Sequence, residues 1–258
     1  MKIIDLSVSL IDGLPVDKPA AQTKINYSGH SDESSITRFL NVYPGLKRDQ
    51  LIDGHGSAVE LVSLSSHTGT HLDAPYHFSP VMNGNEQAWT IDELPLEWCI
   101  GDGVVVDFSD KPDGYKCTRQ DFEEYFEKVG YTLKPGDIVC LRSGAMREWG
   151  KAEYLDAGCG VGREATLWLI SQGVRTMGTD AWSWDVPQSY AHKEFLETGD
   201  PSVCWEAHKV GMEHAYVHYE KLNNLELLPP YGFKFIGFPI KLHKASAGWT
   251  RPVAILDD

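Results

Sequence analysis

The sequence predicts a single α/β domain built around a mixed β-sheet. Short β-branched runs alternate with amphipathic helical segments along the whole chain, and no Pro/Ser-rich linker separates them. A chain of 258 residues is long enough to bury one large core. We therefore expect residues 1–258 to form one domain without internal repeats.

Short apolar runs predict the strands. The segments 101–109 ("GDGVVVDFS") and 136–144 ("GDIVCLRSG") are typical of strands buried on both faces. Further strands are predicted at residues 2–10 and 58–66, from "RTMGTD" (175–180) onward, and at 214–222 and 234–243. The last of these contains Gly237 and Pro239, which predict a bulge or bend.

Three segments predict helices. The clearest is 118–130, where Thr118 can cap the first turn, Phe122 and Phe126 belong to an apolar stripe, and Gly130 ends the helix. Segments 162–174 and 201–211 are predicted to be helical for similar reasons. Residues 13–56 are instead polar and rich in Pro, Asp, Ser and Gly, which predicts a long irregular excursion. Loops of that length are usually functional or lie against a partner.

Composition excludes several classes of function. Hydrophobic residues make up 42% of the chain, and 23 Lys and Arg face 37 Asp and Glu, for a net charge of −14. Without a basic cluster, nucleic acid and anionic membrane surfaces are disfavoured as partners. No apolar stretch approaches the roughly 18 residues that a membrane span needs, and Asp5 interrupts the opening run, which favours a strand over a signal peptide. The five scattered cysteines form no CxxC pair, which predicts buried thiols in a reducing, cytoplasmic environment.

The segment "SSHTGTHLDAPYHF" (65–78) concentrates ligand-type side chains. It contains His67, His71, Asp73 and His77. Gly69 and Pro75 disfavour a helix, and on an extended chain all four odd-numbered side chains would share one face. Imidazoles with a carboxylate suit zinc, manganese or iron(II). The segment therefore predicts a metal site, whereas four isolated histidines are expected at the surface: His30, His55, His192 and His243.

Two other classes of function remain open on these residues. "HLD" (71–73) with a distant histidine also fits the two-histidine, one-carboxylate pattern of non-haem iron oxygenases, although His67 would then be a surplus ligand. A non-catalytic metal-binding protein is the third possibility. Metal-dependent turnover of an amide or lactone without oxygen consumption would separate the three.

The same segment resembles a known family. "HTGTHLDAPYHF" matches the HxGTHxDxPxHF signature of the cyclase-like metal-dependent hydrolases, which include bacterial kynurenine formamidase, isatin hydrolase and trans-dienelactone hydrolase. The resemblance runs nearly end to end and is weakest in 13–56. It also involves "IDLSVSL", "LRSGA", "GVRTMGTDAWSWD", "HKVGMEHAYVHYEKLNNL" and "FPIKLHKASAGWTRPVAIL".

The resemblance implies a fold and a reaction. The fold would be of the swivelling β/β/α type, with a barrel-like β core flanked by helices. The reaction would be hydrolysis of an amide, or less readily a lactone, in a small aromatic or cyclic substrate. Metal ligation is implied for His67, His71 and Asp73, and a catalytic acid/base role for His77. The sequence does not distinguish a formamide from a cyclic imide, lactam or lactone.

The resemblance also implies a distal metal site at His208 and Glu220. Isatin hydrolase has a glutamine at the position of Glu220 and binds one manganese, so a glutamate here favours two ions over one. The metal would be zinc or manganese. His214 and His218 share parity with Glu220 on a strand, and either could replace His208 as the ligand.

Substrate and partner contacts are predicted less directly. In "DAWSWDVP" (180–187), Trp182 and Trp184 share parity beside Ser183, and all three are candidate substrate-binding residues, with core packing as the alternative for either tryptophan. Family members commonly pair near the region matching 13–56. The resemblance therefore implies a homo-oligomer, a dimer at least.

Overall fold

The computed structural model describes residues 1–256 as a mixed α/β fold around one nine-stranded sheet that curls into a half-barrel flanked by helices. The strands of this sheet lie in the order β1 (Lys2–Asp5), β15 (Val253–Leu256), β13 (Phe233–Ile236), β7 (Ile100–Asp107), β9 (Ile138–Arg142), β11 (Thr176–Thr179), β12 (Val217–Glu220), β4 (His71–Asp73) and β14 (Ala247–Trp249). The pairs β7/β9, β9/β11 and β11/β12 are parallel, and the remaining pairs are antiparallel. The predicted mixed α/β fold is thus confirmed.

Three two-stranded ribbons complete the strands: β2 (Lys24–Ser28) with β3 (Val59–Ser63), β5 (Val81–Met82) with β6 (Glu86–Gln87), and β8 (Lys116–Cys117) with β10 (Gly160–Val161). The α-helices are α1 (Glu33–Val42), α2 (Pro75–Phe78), α3 (Arg119–Val129), α4 (Arg163–Ser171) and α5 (Gln188–Thr198).

Hydrophobic clusters pack on both faces of the central strands. Val104 and Val106 of β7 belong to the cluster that includes Phe122 and Leu169 of α3 and α4, whereas Val105 belongs to the cluster on the other face. Successive residues of a strand point to opposite faces, so an uninterrupted apolar run fits a strand that is covered on both sides. This confirms the burial predicted for 101–109 and 136–144.

Helix α3 forms where the sequence predicts it. The Thr118 hydroxyl accepts a hydrogen bond from the Asp121 amide, the Asp121 carboxylate accepts one from the Thr118 amide, and Gly130 ends the helix with φ of 68°. Burial raises the pKa of Asp121, but hydrogen bonds from Lys111 and Thr118 outweigh it and lower the pKa to about 2. Helix α4 likewise confirms the prediction for 162–174, and the left-handed Gly173 (φ 90°) follows it.

Several predicted elements are shorter or different. The strands predicted at 2–10, 214–222 and 234–243 reduce to β1, β12 and β13, and that at 58–66 becomes β3, which pairs with β2 rather than with the main sheet. The prediction of an irregular 13–56 was wrong in part, because this segment contains β2 and α1. Helix α5 was not predicted.

The predicted helix at 201–211 was wrong. Only short 3₁₀ turns form there, at Pro201–Val203 and His208–Met212. Trp205 has a positive φ of 58°, which interrupts any continuous helix. In addition, the Asp185 carboxylate accepts hydrogen bonds from the amides of Ala207 and His208, groups that a longer helix would use internally.

Other sequence expectations concern the surface and the cysteines. His30, His55, His192 and His243 are exposed, as predicted. All five cysteines are free, and four of them are buried, but Cys204 is exposed. Among residues 1–256, no helix has the length and apolar character required to cross a membrane.

Candidate active site

Two neighbouring strands build the centre of the site. β4 and β12 run antiparallel, with Asp73 opposite His218 and His71 opposite Glu220. Residues two apart on a strand share a face, and cross-strand partners lie side by side on it. The register therefore gathers these four side chains on one face, and all four are buried.

His67 and His77 approach this patch from outside the strand. His67 lies in the turn before β4, and His77 lies on α2, whose first residue is Pro75. The prediction of one extended run over 67–77 was therefore wrong, since only His71–Asp73 are a strand. Pro75 does not prevent the helix because proline is favourable at the first helical position. The two imidazoles still meet, with ring centroids 4.1 Å apart.

Asp73 lies between two groups of imidazoles. Its Oδ1 is 2.9 Å from His67 Nδ1 and 3.1 Å from His71 Nε2. Its Oδ2 is 3.2 Å from His218 Nε2, 3.8 Å from His77 Nε2 and 3.9 Å from His208 Nε2. Each carboxylate oxygen therefore faces a different set of nitrogens, an arrangement suited to bridging two cations.

His208 reaches the site from the 3₁₀ turn His208–Met212. Its Nδ1 hydrogen-bonds the carboxylate of Asp185, which leaves Nε2 directed toward Asp73. A carboxylate behind the ring is the usual device for fixing the tautomer of a metal-binding histidine. The sequence placed His208 in the site but did not assign Asp185 this role.

Polar groups around the patch orient the other two imidazoles. His71 Nδ1 is 2.8 Å from the carbonyl oxygen of Gly69, so Nδ1 is the donor and Nε2 is left with its lone pair. His67 Nε2 is 2.9 Å from the hydroxyl of Ser246, and its Nδ1 faces Asp73. The buried Lys221 ammonium donates a hydrogen bond to the His67 carbonyl oxygen (2.7 Å).

Mutual electrostatics shift the pKa values of the cluster. Burial lowers the pKa of His218, but Asp73 and Glu220 outweigh it and raise the pKa to about 9. Burial and the neighbouring charge of Asp73 oppose ionisation of Glu220, yet the close approach of the His218 ring and the charge of His71 lower its pKa to about 2. For His77, burial dominates over the attraction of Asp73 and lowers the pKa to about 4. His77 is then neutral near pH 7 and able to accept a proton.

The unpaired atoms of the protein converge on this cluster. Within residues 1–256, the buried side-chain nitrogens and oxygens that have no hydrogen-bond partner are His71 Nε2, both oxygens of Asp73, and both nitrogens of His218. Buried polar atoms are rarely left unpaired in native proteins. Donor atoms about 2.0–2.1 Å from a tetrahedral ion lie roughly 3.4 Å apart, close to the spacings found here. The residues therefore fit a divalent metal.

Two sets of donor atoms are close enough to hold one ion each. One set is Asp73, His208, His218 and Glu220, and the other is His67, Asp73 and His77. His71 Nε2 adjoins both carboxylates, at 3.1 Å from Asp73 Oδ1 and 3.5 Å from Glu220 Oε2. The geometry brings together all six residues predicted as ligands or acid/base, and it adds His218. Whether His77 is a ligand or a proton carrier stays a prediction.

The predicted substrate-binding residues Trp182, Ser183 and Trp184 are buried or half-buried. Trp184 is fully buried in the core and donates a hydrogen bond to the Thr166 hydroxyl. Trp182 is half-buried and donates to the Asp17 carboxylate at 3.0 Å, and Ser183 is buried. Core packing, the alternative for either tryptophan, is thus what the structure gives for Trp184.

A third tryptophan, which the sequence did not single out, lies at the site. Trp205 is 37% exposed, and its ring stacks on His208 with centroids 4.6 Å apart and planes 9° apart. It also meets His77 edge-on at 5.3 Å. The only sequence signal was its position three residues before His208, inside a segment predicted to be helical. Trp205 forms an aromatic wall beside the predicted acid/base.

The chain is similar to a known family and to curated proteins. The model of a family described as "Putative cyclase" matches residues 4–186. The kynurenine formamidase of Erythrobacter litoralis is 26% identical over 217 residues, covering 81% of this chain and 82% of that protein. The kynurenine formamidase of Salinibacter ruber is 29% identical over 202 residues, covering 76% of this chain and 80% of that protein.

Solved structures share the fold. An isatin hydrolase bound to the product analogue thioisatinate has a TM-score of 0.76 at 19% identity, with 100% of this chain and 93% of that chain covered. Isatin hydrolase A from Ralstonia solanacearum has a TM-score of 0.75 at 23% identity, with 99% and 92% covered. At these identities the likeness concerns the fold.

Proposed function

Since the chain belongs to the Cyclase family, we propose that it hydrolyses an amide bond of a small aromatic or cyclic compound at the cluster around Asp73. Metal-dependent hydrolysis of amide bonds is its reaction class, supported by its formamidase and isatin hydrolase relatives. The convergence of the buried, unpaired atoms of His71, Asp73 and His218 carries the assignment of the site. N-formyl amides and cyclic amides are favoured over lactones as substrates.

We assign two neighbouring metal positions to the cluster. His67, His71 and Asp73 would hold the proximal ion, and Asp73, His208 and Glu220 would contribute to the distal one. A bound zinc or manganese ion would lower the pKa of its water toward 7 and polarise the substrate carbonyl. The two oxygens of Asp73, which face different imidazoles, support its role as the bridge.

His77 is the proposed acid/base of the reaction. Its Nε2 lies 3.8 Å from Asp73 Oδ2, and its ring stands beside His67, the predicted proximal ligand. Its side chain is one-fifth exposed, unlike the fully buried His71 and His218, so a substrate can reach it. Neutral near pH 7, His77 can take a proton from the nucleophile and return it to the leaving nitrogen.

The ring of Trp205 beside His77 favours a flat substrate. Trp205 presents a partly exposed ring next to His77, and aromatic pairs add about 0.5–1.5 kcal/mol beyond area burial. Contact of Trp182 and Ser183 with substrate stays a prediction.

The test combines metal removal with a substrate panel. Protein stripped with a chelator should lose hydrolysis of N-formyl aromatic amines and cyclic aromatic amides, and added zinc or manganese should restore it. Oxygen uptake, followed in parallel, should stay at background, since an oxygenase would consume oxygen. Full hydrolysis by metal-free protein, or turnover that depends on oxygen, would contradict the proposal.

The enzyme is also proposed to be a homodimer. The ribbon of β2 and β3 exposes Tyr27, Leu61 and Val62, and Leu61 and Val62 point to opposite faces of their strand. A two-stranded ribbon is marginally stable alone in water, which favours packing against a second chain. Light scattering should give twice the chain mass, and Leu61→Lys should shift the protein toward the monomer. A monomeric wild type at working concentration would contradict the dimer.

A further inference from the structure

His218 is a buried histidine whose ring has no polar partner outside the site. It is fully buried on β12, and neither ring nitrogen makes a hydrogen bond within the part of the chain that the structure describes. Its ring stacks on Phe78, with centroids 5.1 Å apart, and lies 6.3 Å from the ring of Trp184. Aromatic packing therefore holds the ring in place, while both ring nitrogens lack a hydrogen-bond partner among the described residues.

One of those nitrogens is directed at two carboxylates. Nε2 lies 3.2 Å from Asp73 Oδ2 and 3.3 Å from Glu220 Oε1. The cross-strand pairing of His218 with Asp73 fixes the first distance, and the alternation of β12 places Glu220 on the same face. His208 Nε2 faces the same Asp73 oxygen at 3.9 Å. Ligand atoms of all four side chains (Asp73, His208, His218 and Glu220) thus lie within 4.8 Å of one another.

We propose that His218 is a ligand of the distal metal together with His208, Asp73 and Glu220, so that this position is closed by four protein donors. The inference rests on the proposed function and extends it, since the resemblance implied His208 and Glu220 there and the proposed function added Asp73. It also differs from the sequence alternative in which His218 replaces His208, because both rings reach the same carboxylate oxygen.

With four protein donors at the distal position, the two metal positions would have different roles. Sites with four protein ligands are structural, whereas catalytic sites keep a position open for water or substrate. The proximal set of His67, His71 and Asp73 has three donors and lies beside His77. A water molecule would therefore be activated at the proximal position, whereas an ion at the distal position would hold Asp73 in place and offset the charge of Glu220.

The test measures metal binding rather than turnover. His218→Phe keeps an aromatic ring between Phe78 and Trp184 but removes both nitrogens. His214→Phe is the matched control, because His214 is an exposed histidine four residues earlier on the same segment. Zinc content and affinity are measured on full-length protein at equilibrium with a competing chelator, and thermal unfolding is measured for the metal-free forms.

Wild type and His214→Phe should bind two ions per chain. His218→Phe should keep one ion and lose at least about 100-fold in affinity for the other, since loss of an outer partner of a ligand alone costs about 10–100-fold. If His218 instead serves only as a buried cation between Asp73 and Glu220, metal-free His218→Phe will be destabilised with unchanged zinc affinity, and the proposal is overturned.

His218→Ala serves if the phenylalanine variant does not fold, with the same expected loss of one ion. A wild type that binds a single ion also overturns the inference. The proposed function is tested separately: a protein that binds two ions and loses one in His218→Phe, yet hydrolyses no amide, would refute the function and leave the distal site standing. Active enzyme with unchanged distal affinity in the variant would refute the distal site alone.

Discussion

A buried ion pair links the 13–56 segment to Lys221 beside the active site, and removing one partner should lower the free energy of unfolding substantially. Lys221 Nζ lies 2.9 Å from Asp17 Oδ1, with side chains only 1% and 4% exposed. The same ammonium donates to the carbonyl of His67, and the same carboxylate accepts from Trp182 Nε1. Lys221→Met keeps the length and apolar stem of the side chain but leaves Asp17 charged, buried and without its cation.

The expected loss follows from that burial. Removing one partner of a buried pair costs about 3–5 kcal/mol, whereas exposed pairs contribute about 0–1 kcal/mol. For a protein of this size, about 2–4 °C of melting temperature corresponds to each kcal/mol, so Lys221→Met should melt about 6–20 °C below wild type. Because His67 also loses the donor to its carbonyl, the affinity of the proximal site for zinc should fall about 10–100-fold.

Thermal and urea unfolding of metal-free protein measure the first effect, with the exposed Lys241→Met as control. The double variant Asp17→Leu/Lys221→Met removes both charges and should be more stable than Lys221→Met alone. The double-mutant cycle should give an interaction energy of about 0.5–3 kcal/mol between the two residues. A loss below about 1 kcal/mol in Lys221→Met would show that the pair behaves like an exposed one, and the reasoning from burial would fail.

Four further predictions concern the site and the fold. His77→Ala should lower kcat about 10²- to 10⁴-fold and retain its metal content, whereas His71→Ala should lose the proximal metal ion. Loss of the proximal ion in His77→Ala would show instead that His77 is a ligand. Glu220→Gln should bind one ion fewer per chain in a zinc titration and keep the proximal ion, and equal metal content in both proteins would contradict a distal role. Trp205→Ala should raise KM for aromatic amides about 2- to 13-fold, the equivalent of about 0.5–1.5 kcal/mol of aromatic contact, and an unchanged KM would show that Trp205 does not contact the substrate. Folding lowers the pKa of Asp121 from 3.8 to about 2, so its contribution to the free energy of unfolding is present above pH 4 and is lost as the pH falls toward 2. Asp121→Ala should therefore weaken the dependence of the free energy of unfolding on pH between 4 and 2. An identical pH dependence in wild type and variant would refute this.

Much of the fold was predictable because its signals are local. The capping pattern of Thr118 and Asp121 with Gly130 specifies α3 in the sequence itself, and continuous apolar runs specify β7 and β9. Helix α5 was missed because it has a weak apolar stripe and no buried residue. The helix predicted at 201–211 does not form because of a long-range contact: the amides of Ala207 and His208 donate to Asp185, about twenty positions earlier in the chain.

The sequence by itself determined which residues could bind a metal at β4, because the motif places His67, His71, Asp73 and His77 within eleven positions. Their chemistry and short spacing keep them close in almost any local conformation, so they converge although 67–77 is not extended. Only the tertiary structure decided the distal half. Whether His218 joins the site depends on the pairing of β12 with β4, and a shift of one residue in that register would turn His218 and Glu220 to the other face. That register is set by contacts between strands about 145 residues apart, a long-range pairing that no local pattern in the chain encodes.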